Sequence, residues 1–364
     1  MNIKVILFCL AILVVLNSAE INIDNIDHPS IFLTENINTL TDEQLYFHFH
    51  KLMQKNYEIS SEEGLKRFKI FQSNLQEIRE FNLDTTNTYK KGITIYTDLT
   101  QREFLEDRNM VVEHFIESHE EKVDLLTEQQ MRFLKENKME KDGKLGDFFQ
   151  PIDWRAQGAV NPPTKSPSNC PSTSHMSYVA AIETCNWVKT KQLLKLSNQQ
   201  VIDCFKPCTT FGSLYDYRYF MTNALQSDAS YPYDGLGAKT CKYSPSSAFV
   251  KPRSFNYSSS LYVIDPETSY AALKHCPYVA IQGFTTPRDY VSGVYNPTDC
   301  KGTGSFYGLV TVVGYGRDAA VDYWIINNHY GTNWGEKGFM KVKRRDESKG
   351  CGLTSEFFSR PSFD

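Results

Sequence analysis

Long apolar runs are scarce in this 364-residue chain. Residues 3–16 (IKVILFCLAILVVL) form the only one, and no later segment could cross a bilayer. Lys4 precedes that run and the small residues Ser18 and Ala19 follow it, which is the layout of a secretory signal peptide. Its apolar part is short for a membrane span, so no membrane anchor is expected. Excess positive charge is also missing. Lys and Arg number 39 against 43 Asp and Glu, the net charge is -4, and no Lys/Arg run occurs. That balance argues against nucleic acid as a partner, because phosphate neutralisation needs a basic face. Cys204 and Cys208 could suggest a metal pair, but no second Cys or His pair stands at zinc spacing. No metal and no cofactor are expected. Internal repeats and low-complexity tracts are absent as well. Aromatic residues, at 13%, are plentiful enough for a folded protein.

Nine cysteines occur, and Cys9 leaves with the signal segment. The remaining even number, in a chain sent to an oxidising compartment, reads as a disulfide framework. The expected location is secreted and extracellular, with an endolysosomal compartment as the variant.

The chain then divides by composition. After residues 1–19 comes a polar, Asn-rich stretch to about residue 40. Thr41-Asp-Glu-Gln44 opens a helix with a capping-box pattern. Ser60-Ser-Glu-Glu63 opens another, whose apolar positions Leu65, Phe68, Phe71, Leu75, Ile78 and Phe81 form one buried stripe. Residues 105–146 are charged, with a helix expected over 123–138. Composition changes again at 147. From there residues 172–189 read as a long helix with Ser172 as N-cap, and more helix follows to about 226. Strands are expected over 278–284, 309–316, 323–328 and 339–343.

The helix after Ser60 carries Glu63, Arg67, Ile70, Phe71, Asn74, Ile78 and Asn82 at fixed spacing. These match the E-R-F-N-I-N signature of papain-family propeptides. Gly92-x-Thr94-x-Tyr96-x-Asp98 resembles the G-x-N-x-F-x-D motif of the same propeptides, with two positions altered. Asp153-Trp-Arg-x-x-Gly-Ala-Val160 resembles the start of a mature papain-like domain. Residues 164–183 (TKSPSNCPSTSHMSYVAAIE) resemble its active-site segment, with Lys165, Cys170, Ser172, Ser177, Ile182 and Glu183 in place. The likeness covers roughly 41–104 and 147–364. It implies an α+β fold of two lobes, one helical and one barrel-like, preceded by a helical inhibitory propeptide. The implied domains are signal 1–19, propeptide 20–146 (inhibitor-type part 41–104, linker 105–146) and peptidase 147–364. Val321-Asp-Tyr-Trp-Ile325 and Gly331-Thr-Asn-Trp-Gly-Glu-Lys-Gly-Phe339 look closest to the group 1 mite allergen branch. Within it, the scabies mite inactivated cysteine protease paralogues are the resembled group.

The resemblance also locates departures. A thiol protease needs a thiolate beside an imidazolium and donors for the oxyanion. Thr173 stands at the nucleophile position, Pro167 at that of the oxyanion-hole Gln, and Gly308, ahead of Leu309-Val-Thr-Val-Val-Gly-Tyr-Gly316, at that of the His. Asn328 matches the Asn that orients the imidazole. Thr173 is internal, so it lacks the N-terminal amine that serves catalytic threonines. Pro167 offers neither a side-chain donor nor an N–H. His175, two residues along the helix, projects about 200° away from Thr173. His329 borders the expected cleft and is the possible substitute base. Cys208 is followed by Thr209-Thr210-Phe211-Gly212, whose side chains would crowd the family's substrate shelf.

The family framework implies bridges Cys170–Cys208, Cys204–Cys241 and Cys300–Cys351, leaving Cys185 and Cys276 as buried free thiols or a fourth bridge. Asn256-Tyr-Ser258 is a glycosylation sequon. The resulting expectation is a secreted pseudoprotease, not an enzyme, that acts by binding host proteins or protease substrates as decoy, competitor or inhibitor, its own propeptide being one partner. Two alternatives stand beside it: residual hydrolysis by Thr173 with His329, and inhibition of active relatives by the propeptide.

Overall fold

Residues 26–108, 110, 150–205, 208, 216–258, 273–299, 308–318, 321–344, 353 and 358–363 are described by the computed structural model of this chain. The signal segment, the helix expected over 123–138, Cys300, Cys351 and residues 209–212 fall outside them.

The N-terminal unit contains α1 (Pro29–Glu35), α2 (Asp42–Leu52), α3 (Glu62–Leu83), β1 (Tyr89–Lys91) and α4 (Gln101–Asp107). Thr41 caps α2 as its sequence requires. Its hydroxyl accepts from Gln44 N, and its own N–H donates to Gln44 Oε1 at 2.9 Å. The cap of α3 is Ser61, whose Oγ accepts from Gly64 N at 3.1 Å. Phe68, Phe71, Leu75 and Ile78 are buried against Leu45, Tyr46 and Phe49 of α2, while Leu65 and Phe81 at the ends of the stripe are only half-buried.

The polar positions of α3 are not surface decoration. Arg67 pairs with Glu63 at 2.6 Å and reaches Asp98 O at 3.2 Å and Glu103 at 3.0 Å. Asn74 Nδ2 donates to Thr97 O and Leu99 O at 2.7 and 3.0 Å. Asn82 exchanges two hydrogen bonds with the Lys91 backbone. One helix face therefore holds the returning segment 91–103 by its otherwise unpaired backbone groups.

In the C-terminal unit, α5 (Thr173–Thr190) is the central helix. Helices α6 (Asn198–Cys204) and α7 (Tyr217–Thr222) flank it, with the short pair β3 (Leu225–Gln226) and β4 (Ala248–Val250) beyond. Tyr178, Val179, Ile182, Leu196, Val201 and Phe220 build the core of this helical lobe. The second lobe is a sheet: β5 (Ser254–Ser258), β6 (Tyr278–Gln282), β7 (Tyr290–Tyr295), β8 (Gly308–Asp318), β9 (Val321–Asn327), β10 (Phe339–Lys343) and β11 (Phe358–Ser362). Its order is β1-β7-β10-β9-β8-β6-β11-β5, and β2 (Ile152–Asp153) pairs with β8. Only β7 and β10 run parallel among the described pairs. The strands match the four sequence segments expected to form them to within three residues at each end.

Strand β1 of the N-terminal unit is thus the edge strand of the C-terminal sheet, with Tyr89 opposite Gly293 and Lys91 opposite Tyr290. Tyr96, Phe104 and Met110 belong to the same buried cluster as Trp154, Tyr278, Trp324 and Trp334. The stretch read as a charged linker from 105 therefore begins with docked residues, since Arg108 and Met110 are both buried.

Among the described residues three bridges are present: Cys170–Cys208, Cys204–Cys241 and Cys185–Cys276. The last is the alternative left open for Cys185 and Cys276, which are bridged and not free thiols. Cys185 sits on the last turns of α5 facing the barrel lobe, with its Cα 5.2 Å from that of Cys276, so helix and sheet are tied across the lobe boundary. Ser172 is the N-cap residue of α5 but not by its side chain, whose Oγ donates instead to Cys170 O at 2.8 Å.

Candidate active-site cleft

The cleft forms where the N-terminus of α5 meets the start of β8. Ser177 Oγ donates to Leu309 O and Thr311 Oγ1 donates to Ser177 O, both at 3.0 Å, so the helix is pinned to the strand one turn below Thr173. That pinning fixes Thr173 opposite Gly308. A Cβ placed on Gly308 would meet the Thr173 hydroxyl oxygen at 3.6 Å and no other atom within 4 Å among the described residues. The backbone at Gly308 has φ +152°, in the range that favours glycine. The helix start brings its unpaired N–H groups toward Thr173.

Asn328 is buried at the end of β9, and its Nδ2 donates to Thr286 Oγ1 at 3.0 Å. Gln282, the residue opposite Gly308, donates to the same Thr286 oxygen at 2.7 Å. Thr173, Gly308 and Asn328 are thus gathered by the elements that the sequence assigned them to. Pro167 lies in the loop before α5, between Ser166 and Ser168. Ser166 holds that loop: its N–H donates to His329 O at 2.8 Å, and its Oγ accepts from Ser172 N at 3.1 Å.

His329 is not brought to Thr173. Its backbone sits at φ +55°, and its N–H donates to Asn327 Oδ1 at 2.9 Å. It lines a cavity with Met176, Val179, Ala180, Glu183 and Asn198. No ring nitrogen bonds Thr173. Burial holds the imidazole down to about 3, only partly opposed by the Thr164 backbone, so it is neutral and a poor base near pH 7. The candidacy of His329 as substitute base is therefore corrected. In the same cavity burial pushes Glu183 up to about 7 against the pull of Asn161 and of the Leu196 N–H, 2.7 Å away. His175 turns away from Thr173 as its helical position requires. Its Nε2 is 3.2 Å from Asp216 Oδ2, with both side chains buried.

The cleft also holds residues that sequence reasoning passed over. Arg108 is buried with Asp107 at 2.7 Å, donates to Ser166 O and to Ser168 Oγ, and lies over the rings of Tyr96 and Tyr330. The Tyr330 hydroxyl points to Met110 Sδ, 3.7 Å away, and burial pushes that phenol up to about 12. No pattern in one sequence marks Arg108; its charge placed it with an exposed linker. Asn256 is half-buried in β5, opposite Arg360 of β11.

Comparison with known proteins accounts for this layout. The profile of the papain family cysteine protease matches residues 149–360, and that of the cathepsin propeptide inhibitor domain matches 46–104. A cathepsin L-like proteinase of Phaedon cochleariae is 32% identical over 87% of this chain and 93% of its own length. The germination-specific cysteine protease 1 of Arabidopsis thaliana is 33% identical over 80% of this chain and 76% of its own. The digestive procathepsin L2 proteinase from the Tenebrio molitor larval midgut superposes with TM-score 0.72 at 23% identity, covering 88% of this chain and all of that one. The two-lobed fold with its propeptide is the one expected. The expectation that the chain is not an enzyme is corrected: the relatives it resembles over most of its length are named proteases. Among the described residues, no helix is long and apolar enough to cross a membrane.

Proposed function

Because this chain belongs to the papain family of cysteine proteases and carries a cathepsin-type propeptide inhibitor domain ahead of its peptidase domain, we propose that its cleft works by holding polypeptide. The carrying observation is that a polypeptide already lies there: Arg108 and Met110 are buried against Ser166, Ser168 and Tyr330. Pro167, Thr173 and Gly308 stand where the family has its oxyanion donor, thiol and imidazole. Hydrolysis conferred by family membership would therefore run through a hydroxyl, with the helix N-terminus as its nearest electrostatic support. Binding makes no such demand and uses the whole retained scaffold. Decoy, competitor and inhibitor are the forms such binding takes. Secretion through residues 1–19, removal of the propeptide within 105–146, a glycan on Asn256 and kinship with the group 1 mite allergen branch belong to the same proposal.

A second reading has its own support. The contacts of Arg67, Asn74, Asn82 and Asp98 within the propeptide are complete. A separately produced propeptide could then occupy the cleft of an active relative.

The test uses the full chain cut by an added protease within 111–149. Labelled unfolded polypeptide is titrated against it while peptide bonds are followed by mass spectrometry. Saturable binding, competed by the freed propeptide, is expected. No binding overturns the reading. Turnover with an acyl adduct on Thr173 replaces it with a hydrolytic one.

A further inference from the structure

We propose that this cleft recognises an arginine that is preceded by a carboxylate and followed two positions later by a large apolar residue. Asp107-Arg108-x-Met110 is the built-in example, and the inference rests on the polypeptide-holding reading above.

The guanidinium of Arg108 is almost fully withdrawn from water, with 1% of its side chain exposed. A buried cation survives only if its donors and its charge are both met. The peptidase domain meets the donors. Ser166 O lies 3.4 Å from both Nη atoms and Ser168 Oγ lies 3.3 Å from Nη2. It also supplies the Tyr330 face, with Cζ 5.5 Å from the ring centroid. A flat, forked group fits two acceptors and a ring together; a lysine ammonium cannot.

The charge is met differently. The carboxylate on Arg108 is Asp107, at 2.8 Å from Nε and 2.7 Å from Nη2, and it belongs to the same segment as the arginine. On the peptidase side the nearby charge is Lys165, whose ammonium is pushed down by burial and then by Arg108 itself. Among the described residues of the peptidase domain, a lone arginine entering this place would meet repulsion with no neutralising carboxylate. The ligand must bring its own carboxylate, which accounts for the acidic residue at the preceding position. The apolar position follows from Tyr330. Its ring faces Arg108 and its hydroxyl faces Met110 Sδ, so one side chain spaces the two ligand residues. Among partners, those displaying acidic–Arg–x–apolar in an accessible strand are selected over those with lysine or with arginine alone.

The experiment uses the full chain cut within 111–149, so that the propeptide is held by contacts only. Its release is followed by native mass spectrometry against a synthetic peptide of residues 100–112, the same peptide with citrulline for Arg108, and one with Asn for Asp107. The parent peptide is expected to displace the propeptide. Each variant peptide should need at least about tenfold more, since hydrogen bonds to a desolvated charge carry that difference. Ser168→Ala in the chain should narrow the arginine–citrulline ratio several-fold; Ser168 is exposed, so folding is not at stake. Equal potency of the arginine and citrulline peptides overturns the inference while leaving the cleft a polypeptide site. Failure of every peptide to displace overturns both.

Discussion

Gly308 and Thr173 face each other across the cleft, so that a Cβ on Gly308 would stand 3.6 Å from the Thr173 hydroxyl oxygen and touch nothing else within 4 Å among the described residues. The resemblance to the papain family assigns base and nucleophile to these two positions, which the Ser177–Leu309 and Ser177–Thr311 hydrogen bonds hold in register.

A thiol placed alone at this point should behave as an ordinary helix-start thiol. We expect Thr173→Cys to raise peptide hydrolysis by less than tenfold and its thiol pKa to stay above 7, because no imidazole among the described residues bonds position 173. Adding Gly308→His should lower that pKa by more than one unit, with Asn328 as orienting partner. The backbone must then leave φ +152°, so some stability is lost. The pH profile of alkylation by iodoacetamide on the cut chain reads both variants. Unequal pKa values in the opposite order would refute the pairing.

Cys185–Cys276 should be found linked in non-reducing peptide maps, and the double variant Cys185→Ala/Cys276→Ala should be destabilised by about 2–4 kcal/mol in denaturant unfolding. Mapping both as free thiols would contradict the bridge. The loss should appear first as separation of α5 from the barrel lobe, read as faster amide exchange in 278–282.

His329 and Glu183 share one cavity and titrate in opposite senses. The folded-state pKa of His329 is depressed to about 3. Its contribution is therefore present above the unfolded value near 6.5 and is lost as pH falls toward 3. Glu183 is raised to about 7. Its contribution is present below the unfolded value near 4.5 and is lost as pH rises through 7. His329→Asn, a residue that tolerates the left-handed backbone, should flatten the acid limb between about pH 6.5 and 3 by a few kcal/mol. Glu183→Gln should flatten the loss between about 4.5 and 7. Chemical unfolding across pH checks both, and unchanged acid limbs in the His329 variant would refute its burial in the neutral form.

Processing should leave the docked segment intact. Burial of Ile93, Tyr96, Phe104, Arg108 and Met110 protects the chain as far as residue 110, whereas 111–149 is rich in Lys and Glu. Limited trypsin treatment should give a first new N-terminus between 111 and 150. A first cut at Arg102 or Arg108 would refute propeptide docking. Asn74→Ala, which frees the Thr97 and Leu99 carbonyls, should loosen the docked segment and make those sites cut about tenfold faster.

Local pattern settled a good deal here. The cap at Thr41, the apolar stripe of α3 and the strands at 278–282, 321–327 and 339–343 follow from side-chain period and hydrogen-bonding chemistry, which act over a few residues, whereas the cap of α3 falls on Ser61, one residue beyond the Ser60 that opens its pattern. Thr173, Gly308, Pro167 and Asn328 are assigned by resemblance alone, through the fixed neighbours that surround each in the chain. Tertiary structure decided what depends on distance. Cys185 and Cys276 are 91 residues apart, and only the packing of α5 on β6 makes them neighbours. His329 borders the cleft in sequence, yet its ring nitrogens reach no partner on Thr173, and it lines a buried cavity with Met176 and Glu183 instead. Arg108 has no local pattern at all. Its role arises because β1 joins the sheet edge and carries a charged segment into a site with a ring, a carbonyl and a hydroxyl waiting at the right separations. Burial of a charge is a many-body outcome, and no window of sequence contains its partners.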